Sequence, residues 1–165
     1  MKITDEHLYH GAALTQIAEH KAFTAINGIR INGELHRSAF RVNDDIGVYF
    51  KYATKPTPAH REYLFTFTPT HLADLASLKQ THSRLFIGLV CVKDSEICCI
   101  PYSLLLQMLV ERRSRVAGDE VSTVLVTAPK GKKLRVYMNS PGTKGKSLTQ
   151  HLVARSAFPD ELFVD

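Results

Sequence analysis

The stretch "RVNDDIGVYFKYATKP", Arg41 to Pro56, decides how this chain is read. Asn43-Asp44-Asp45 supplies turn-forming residues, and "IGVYFKYA" follows with the composition of a strand. In a strand, residues two apart project to the same side. Ile46, Val48, Phe50 and Tyr52 therefore share one face, and Gly47, Tyr49, Lys51 and Ala53 the other. The second set is the expected exposed side. A lysine inside an otherwise apolar strand is costly unless its amine reaches water or a partner, so Lys51 draws attention.

Working outward, the period before this stretch is also two. "FTAINGIRI" and "ELHRSAFRV" flank Asn32-Gly33, a strong hairpin signal. A helix precedes them, with Thr4 as its cap, Asp5 and Glu6 in its first turn, and an expected end near Lys21. Beyond Pro56 and Pro58, "EYLFTFT" predicts a fourth strand, expected to pair back on the third. Thr68-Pro69 opens a second helix through "THLADLASLKQ". "RLFIGLVCV" is apolar on both parities, as in a central strand covered on both faces. "ICCI" follows a turn at Lys93 to Glu96, and Pro101 opens a Leu-rich helix ending before Gly118. "STVLVTA" and "KLRVYMN" flank the turn "PKGKK", and a short helix is expected around Leu148 to Ala154. The order α-β-β-β-β-α-β-β-α-β-β predicts one α/β (or α+β) domain over residues 1–165, with a central mixed sheet and flanking helices.

At 165 residues, with 44% hydrophobic and 22% charged residues, the chain has ordinary globular composition. No apolar run approaches the roughly 18 residues that span a bilayer. The N-terminus lacks a signal-peptide pattern, so no membrane partner and a cytoplasmic location are expected. Cys91, Cys98 and Cys99 lack the paired spacing of a zinc site and are expected to be buried free thiols. The eight histidines show no metal-ligand spacing, and His7 and His10 are expected on an exposed helix face.

The net charge of +5 is unevenly spread. In the basic C-terminal third, residues 112–155, ten lysines and arginines oppose only Asp119 and Glu120. Such segregation suits a polyanion, with Lys130, Lys132, Lys133, Arg135, Lys144 and Lys146 as expected phosphate contacts. Arg112, Arg113 and Arg115 also suit a helix C-terminus. Gly145-Lys146-Ser147 lacks the upstream glycine and the downstream chain of a nucleotide-binding P-loop, and reads as a basic loop. Nucleic acid, DNA or RNA, is the expected partner. The alternative is an interaction or assembly module whose basic face meets an acidic protein.

The order helix, three strands, helix, strand over residues 5–92, with Lys51 on the third strand, resembles the PD-(D/E)xK restriction-endonuclease-like superfamily. The resemblance implies a magnesium-dependent nuclease in which Lys51 orients the attacking water and acids hold the metal. Glu34, or Asp44 and Asp45, would supply the first acid, and Glu19 an auxiliary one. Glu34 and Asp45 are the metal ligands this reading implies. The position of the motif's second acid holds Tyr49, which places Tyr49 beside Lys51 in the candidate catalytic set, with Glu62 a candidate for a displaced acid.

Overall fold

The computed structural model describes residues 1–114, 121–139 and 148–165. The chain runs α1 (Asp5–Ala18), β1 (Ile26–Ile31), β2 (Glu34–Val42), β3 (Ile46–Ala53), β4 (Tyr63–Phe67), α2 (Pro69–Thr81), β5 (Arg84–Cys91), β6 (Glu96–Pro101), α3 (Tyr102–Arg113), β7 (Ser122–Thr127), β8 (Leu134–Met138), β9 (His151–Val153) and α4 (Ala157–Asp160), closing with one 3-10 turn at Glu161–Phe163. It is a mixed α/β domain with two sheets. One holds five strands in the order β1-β2-β3-β5-β6, and the other four in the order β4-β7-β8-β9.

In the five-stranded sheet, β1, β2 and β3 form an antiparallel meander and β5 lies parallel to β3, which makes the sheet mixed. Asn32 and Gly33 both have positive φ, 52° and 83°, the geometry an Asn-Gly hairpin turn requires. The turn that feeds β3 is pinned by Asn43. Its Oδ1 accepts from the backbone N–H of Thr24 at 2.7 Å, and its amide donates to the Ala22 carbonyl at 3.0 Å. The approach to β1 is thereby tied to the start of β3.

Both faces of β3 are covered, which corrects the exposed side expected from alternation. On one face His10 of α1 packs on Phe50 and Tyr52, with Phe158 also edge-on to Phe50. On the other, Tyr49 is 3% exposed, and Lys51 meets residues of β4 and α2. β5 is buried on both parities, as its sequence predicts. At Gly88 a Cβ would stand 2.7 Å from a Phe50 ring carbon, so only glycine lets these two strands lie together.

Three expectations change. β4 does not pair with β3; it pairs antiparallel with β7, Tyr63 opposite Val126, and founds the second sheet. Residues 151–153 form strand β9 beside β8 rather than a helix. The first helix stops at Ala18, before Lys21. Cys98 and Cys99 project from opposite sides of β6, and all three cysteines are free and buried, as expected. Burial, foremost, pushes the Cys91 and Cys99 thiols up to about 12 and Cys98 well above its usual value, so all three are inert thiols at neutral pH.

Candidate functional site

Lys51 sits in a small polar cluster under α2. Thr68 and His71 form a reciprocal capping box at the start of α2. His71 Nδ1 accepts from the Thr68 N–H at 3.2 Å and lies 3.2 Å from the Lys51 amine, which makes it an acceptor for both. Lys51 Nζ also stands 5.1 Å from the centre of the Phe67 ring. Beside it, His36 Nδ1 accepts from the Ser38 N–H, so its Nε2 carries the proton and donates to Asp74 at 3.1 Å. The register of β1 on β2 slips between Gly28 and Arg30, and His36 reaches Tyr49 and Asp74 from this irregular stretch. Burial lowers the Lys51 pKa and, with Lys51 as second cause, that of His71. Burial and then the Asp74 charge push Tyr49 up to about 12.

The acids named with Lys51 do not join it. Glu34 opens β2 and pairs with Ile31, whereas Asp45 lies past its other end and accepts from the Ser83 hydroxyl. A nine-residue strand separates them, roughly 25 Å of extended backbone, so the two cannot share a magnesium ion. Asp44 belongs to the same turn as Asp45, and Glu19 is the exposed C-cap of α1. Among the described residues no three His, Cys, Asp or Glu side chains are grouped to hold a metal. The lysine's actual neighbours, His36, His71 and Asp74, escaped sequence reasoning. The Thr-x-x-His spacing at Thr68 and His71 was the only local signal available.

A large cavity lies elsewhere. It is a cleft of about 1000 Å³ where β3 and β5 end in parallel, walled by the β3–β4 loop, the β5–β6 turn and the β7–β8 hairpin. Open sheets commonly bind ligands beyond the carboxyl ends of parallel strands. Lys55 and Arg61 come from the loop, Lys93 from the turn, and Lys130 and Arg135 from the hairpin. Among the described residues none of these five forms an ion pair. Glu62 and Asp94 also line the cleft, each held by a buried phenol: Tyr137 donates to Glu62, and Tyr63 donates to Asp94 while accepting from its N–H at 3.0 Å. Burial, and then the bonds donated to the carboxylates, raise both tyrosine pKa values, so both phenols stay protonated donors.

The walls are braced. Thr57 N–H donates to the Glu62 carbonyl at 2.9 Å and Arg61 N–H to the Thr57 carbonyl at 2.8 Å, closing the loop on itself. In the hairpin, Gly131 takes φ +72°. Arg155 holds that hairpin from below: Nε donates to the Lys132 carbonyl at 2.8 Å, Nη2 to the Pro129 carbonyl at 2.7 Å, and Nη1 meets Glu96 at 2.8 Å. Arg155, one of the ten cations of the basic third, is thus spent inside the protein.

Of the expected phosphate contacts, Lys130 and Arg135 line the cleft, and Lys132 and Lys133 are exposed on the same hairpin. Lys144 and Lys146, with the Gly145-Lys146-Ser147 loop and Arg115, lie outside the described residues. Lys55, Arg61 and Lys93 come from outside the basic third, and only the sheet pairing brings them to the hairpin. No family model matches the chain, and comparison with curated proteins and with solved structures gives no significant match.

Proposed function

We propose that this protein binds nucleic acid in the cleft between the β3–β4 loop and the β7–β8 hairpin, gripping backbone phosphates without reading bases. The observation that carries the reading is the convergence of Lys55, Arg61, Lys93, Lys130 and Arg135 from three separate segments, none engaged in an ion pair among the described residues. Paired cations belong to the fold, and unpaired ones gathered in a concavity attract a polyanion. Tyr137, the tyrosine among the cleft's lining residues, is buried and turned to Glu62, so it provides no face on which unpaired bases could stack. That favours the backbone of a duplex.

Fluorescence anisotropy with a labelled 20-base-pair duplex tests this. Arg61→Gln/Arg135→Gln should weaken binding at least tenfold. Lys21→Gln/Arg41→Gln removes the same charge from exposed positions elsewhere and should change it less than threefold. Equal losses in the two variants would mean that only net charge matters, and the cleft would lose its role. Polyglutamate of matched charge should bind more weakly than the duplex; tighter binding would favour an acidic protein partner. The nuclease reading draws no support from the placement of Glu34 and Asp45.

A further inference from the structure

A cavity of about 270 Å³ lies at the end of the five-stranded sheet away from the basic cleft, between the C-terminus of α2 and strands β1 and β2. The cleft and this cavity share no lining residue. Small-molecule pockets begin at about 300 Å³, so this one suits a single ion rather than an extended ligand. Arg30, Arg41, Thr81 and His82 supply its polar wall, and no carboxylate lines it. Arg41 forms no hydrogen bond or ion pair among the described residues, and Arg30 spends one N–H on the Gly33 carbonyl at 3.3 Å.

His82 gives the cavity its chemistry. The register sets Arg41 directly opposite Gly47, and side chains of such a pair share a face. The imidazole lies over Gly47, where a Cβ would stand 3.2 Å from its Cγ, and therefore beside Arg41. Its Nδ1 is 3.0 Å from the Leu78 carbonyl, which can only accept, so Nδ1 carries the proton. Nε2 of the neutral ring is then an acceptor. The residue is 6% exposed, yet Nε2 has no partner among the described residues and, unlike the nitrogens of His10, is not sealed from solvent. The opening it meets is this cavity.

An acceptor set beside two guanidinium groups fits an oxyanion that still bears a proton. The C-terminal end of α2 opposes an anion with about half a negative charge, which two arginines outweigh. Part of that end is already neutralised: the Leu78 carbonyl takes the His82 N–H at 3.0 Å and the Thr81 hydroxyl at 3.3 Å besides Nδ1.

We propose that this cavity binds inorganic hydrogen phosphate, its P–OH donating to His82 Nε2 and its charged oxygens accepting from Arg30 and Arg41. Sulfate has the same shape and charge but no proton. A phosphodiester has none either, so the site adds nothing to duplex binding. The test titrates phosphate, sulfate and methyl phosphate into the isotope-labelled full chain, followed by NMR at fixed ionic strength and at pH 8, where methyl phosphate has lost its last proton. Phosphate should shift the His82 imidazole signals and the amides of residues 28–30, 41 and 81–82. It should bind about tenfold more tightly than the other two, which leave Nε2 unmet. Arg41→Gln, at an exposed position, should weaken phosphate about tenfold by removing a charge-assisted contact. His82→Phe should abolish the preference for phosphate over sulfate, and Arg61→Gln/Arg135→Gln should leave phosphate binding as it is. Absence of these shifts, equal affinities in the wild type, undiminished binding to Arg41→Gln, a preference that survives His82→Phe, or loss of binding with the cleft arginines would each overturn the proposal. If His82→Phe proves unfolded, the wild-type preference and the Arg41→Gln result decide it.

Discussion

The salt dependence of duplex binding can be worked out from the cleft itself. If Lys55, Arg61, Lys93, Lys130 and Arg135 each neutralise one phosphate, five counterions' worth of charge is displaced. For duplex DNA the logarithm of the affinity then falls with the logarithm of salt at a slope of about −4.5. Between 50 and 200 mM NaCl that is a loss of about 500-fold. Arg61→Gln/Arg135→Gln leaves three of the five, a slope of about −2.7 and a loss of about 40-fold over the same range. Anisotropy titrations at 50, 100 and 200 mM NaCl on both proteins measure the two slopes. A wild-type slope shallower than about −2, or a slope that the double substitution leaves unaltered, would refute the reasoning. Arg155 adds nothing to the count because its guanidinium is committed to Glu96 and two carbonyls.

The remaining predictions concern the frame that holds the cleft. Gly88→Ala should destabilise by about 2–3 kcal/mol in urea unfolding, because its Cβ would strike the fully buried Phe50 ring; a cost under about 0.5 kcal/mol would show that the ring yields freely. Arg155→Ala should cost about 2 kcal/mol by removing charge-assisted bonds to the hairpin, and should also weaken duplex binding; thermal melts and anisotropy read the two effects, and unchanged values in both would contradict the bracing role. Stability should fall in acid: the His71 pKa is depressed in the folded state, so the unfolded chain takes the proton first. The contribution is present above about pH 6.5 and is lost progressively as pH falls from there through the folded value. Urea midpoints at pH 7.5 and 5.0 should therefore converge between wild type and His71→Gln, and a parallel drop in both would refute the assignment.

How far the sequence discloses this molecule depends on how local each determinant is. The Asn32-Gly33 turn, the doubly apolar β5 and the Thr4 and Thr68 caps are local patterns, and each appears where expected. The pairing of β4 with β7 is not local. Both strands alternate well enough to pair with several neighbours, and the choice is made by packing some sixty residues downstream. Lys51 shows a related gap: alternation places it opposite Phe50 and says nothing of α2, whose His71 and the strand residue Phe67 then cover it. The candidate site was half legible. Lys130 and Arg135 stand out as a basic hairpin, but Lys55, Arg61 and Lys93 look like ordinary surface charges until β3 and β5 end side by side. His10, expected on an exposed helix face, gives no hint in sequence of an imidazole buried against Phe50 and Tyr52.

Backbone amide shifts of the labelled protein, recorded during addition of an unlabelled duplex, test the central claim most directly. The account predicts that the largest perturbations cluster at residues 55–62, 93–94 and 127–135, the three walls of the cleft. Perturbations concentrated on α1 and the β1–β2 hairpin, or absent throughout at saturating duplex, would contradict it.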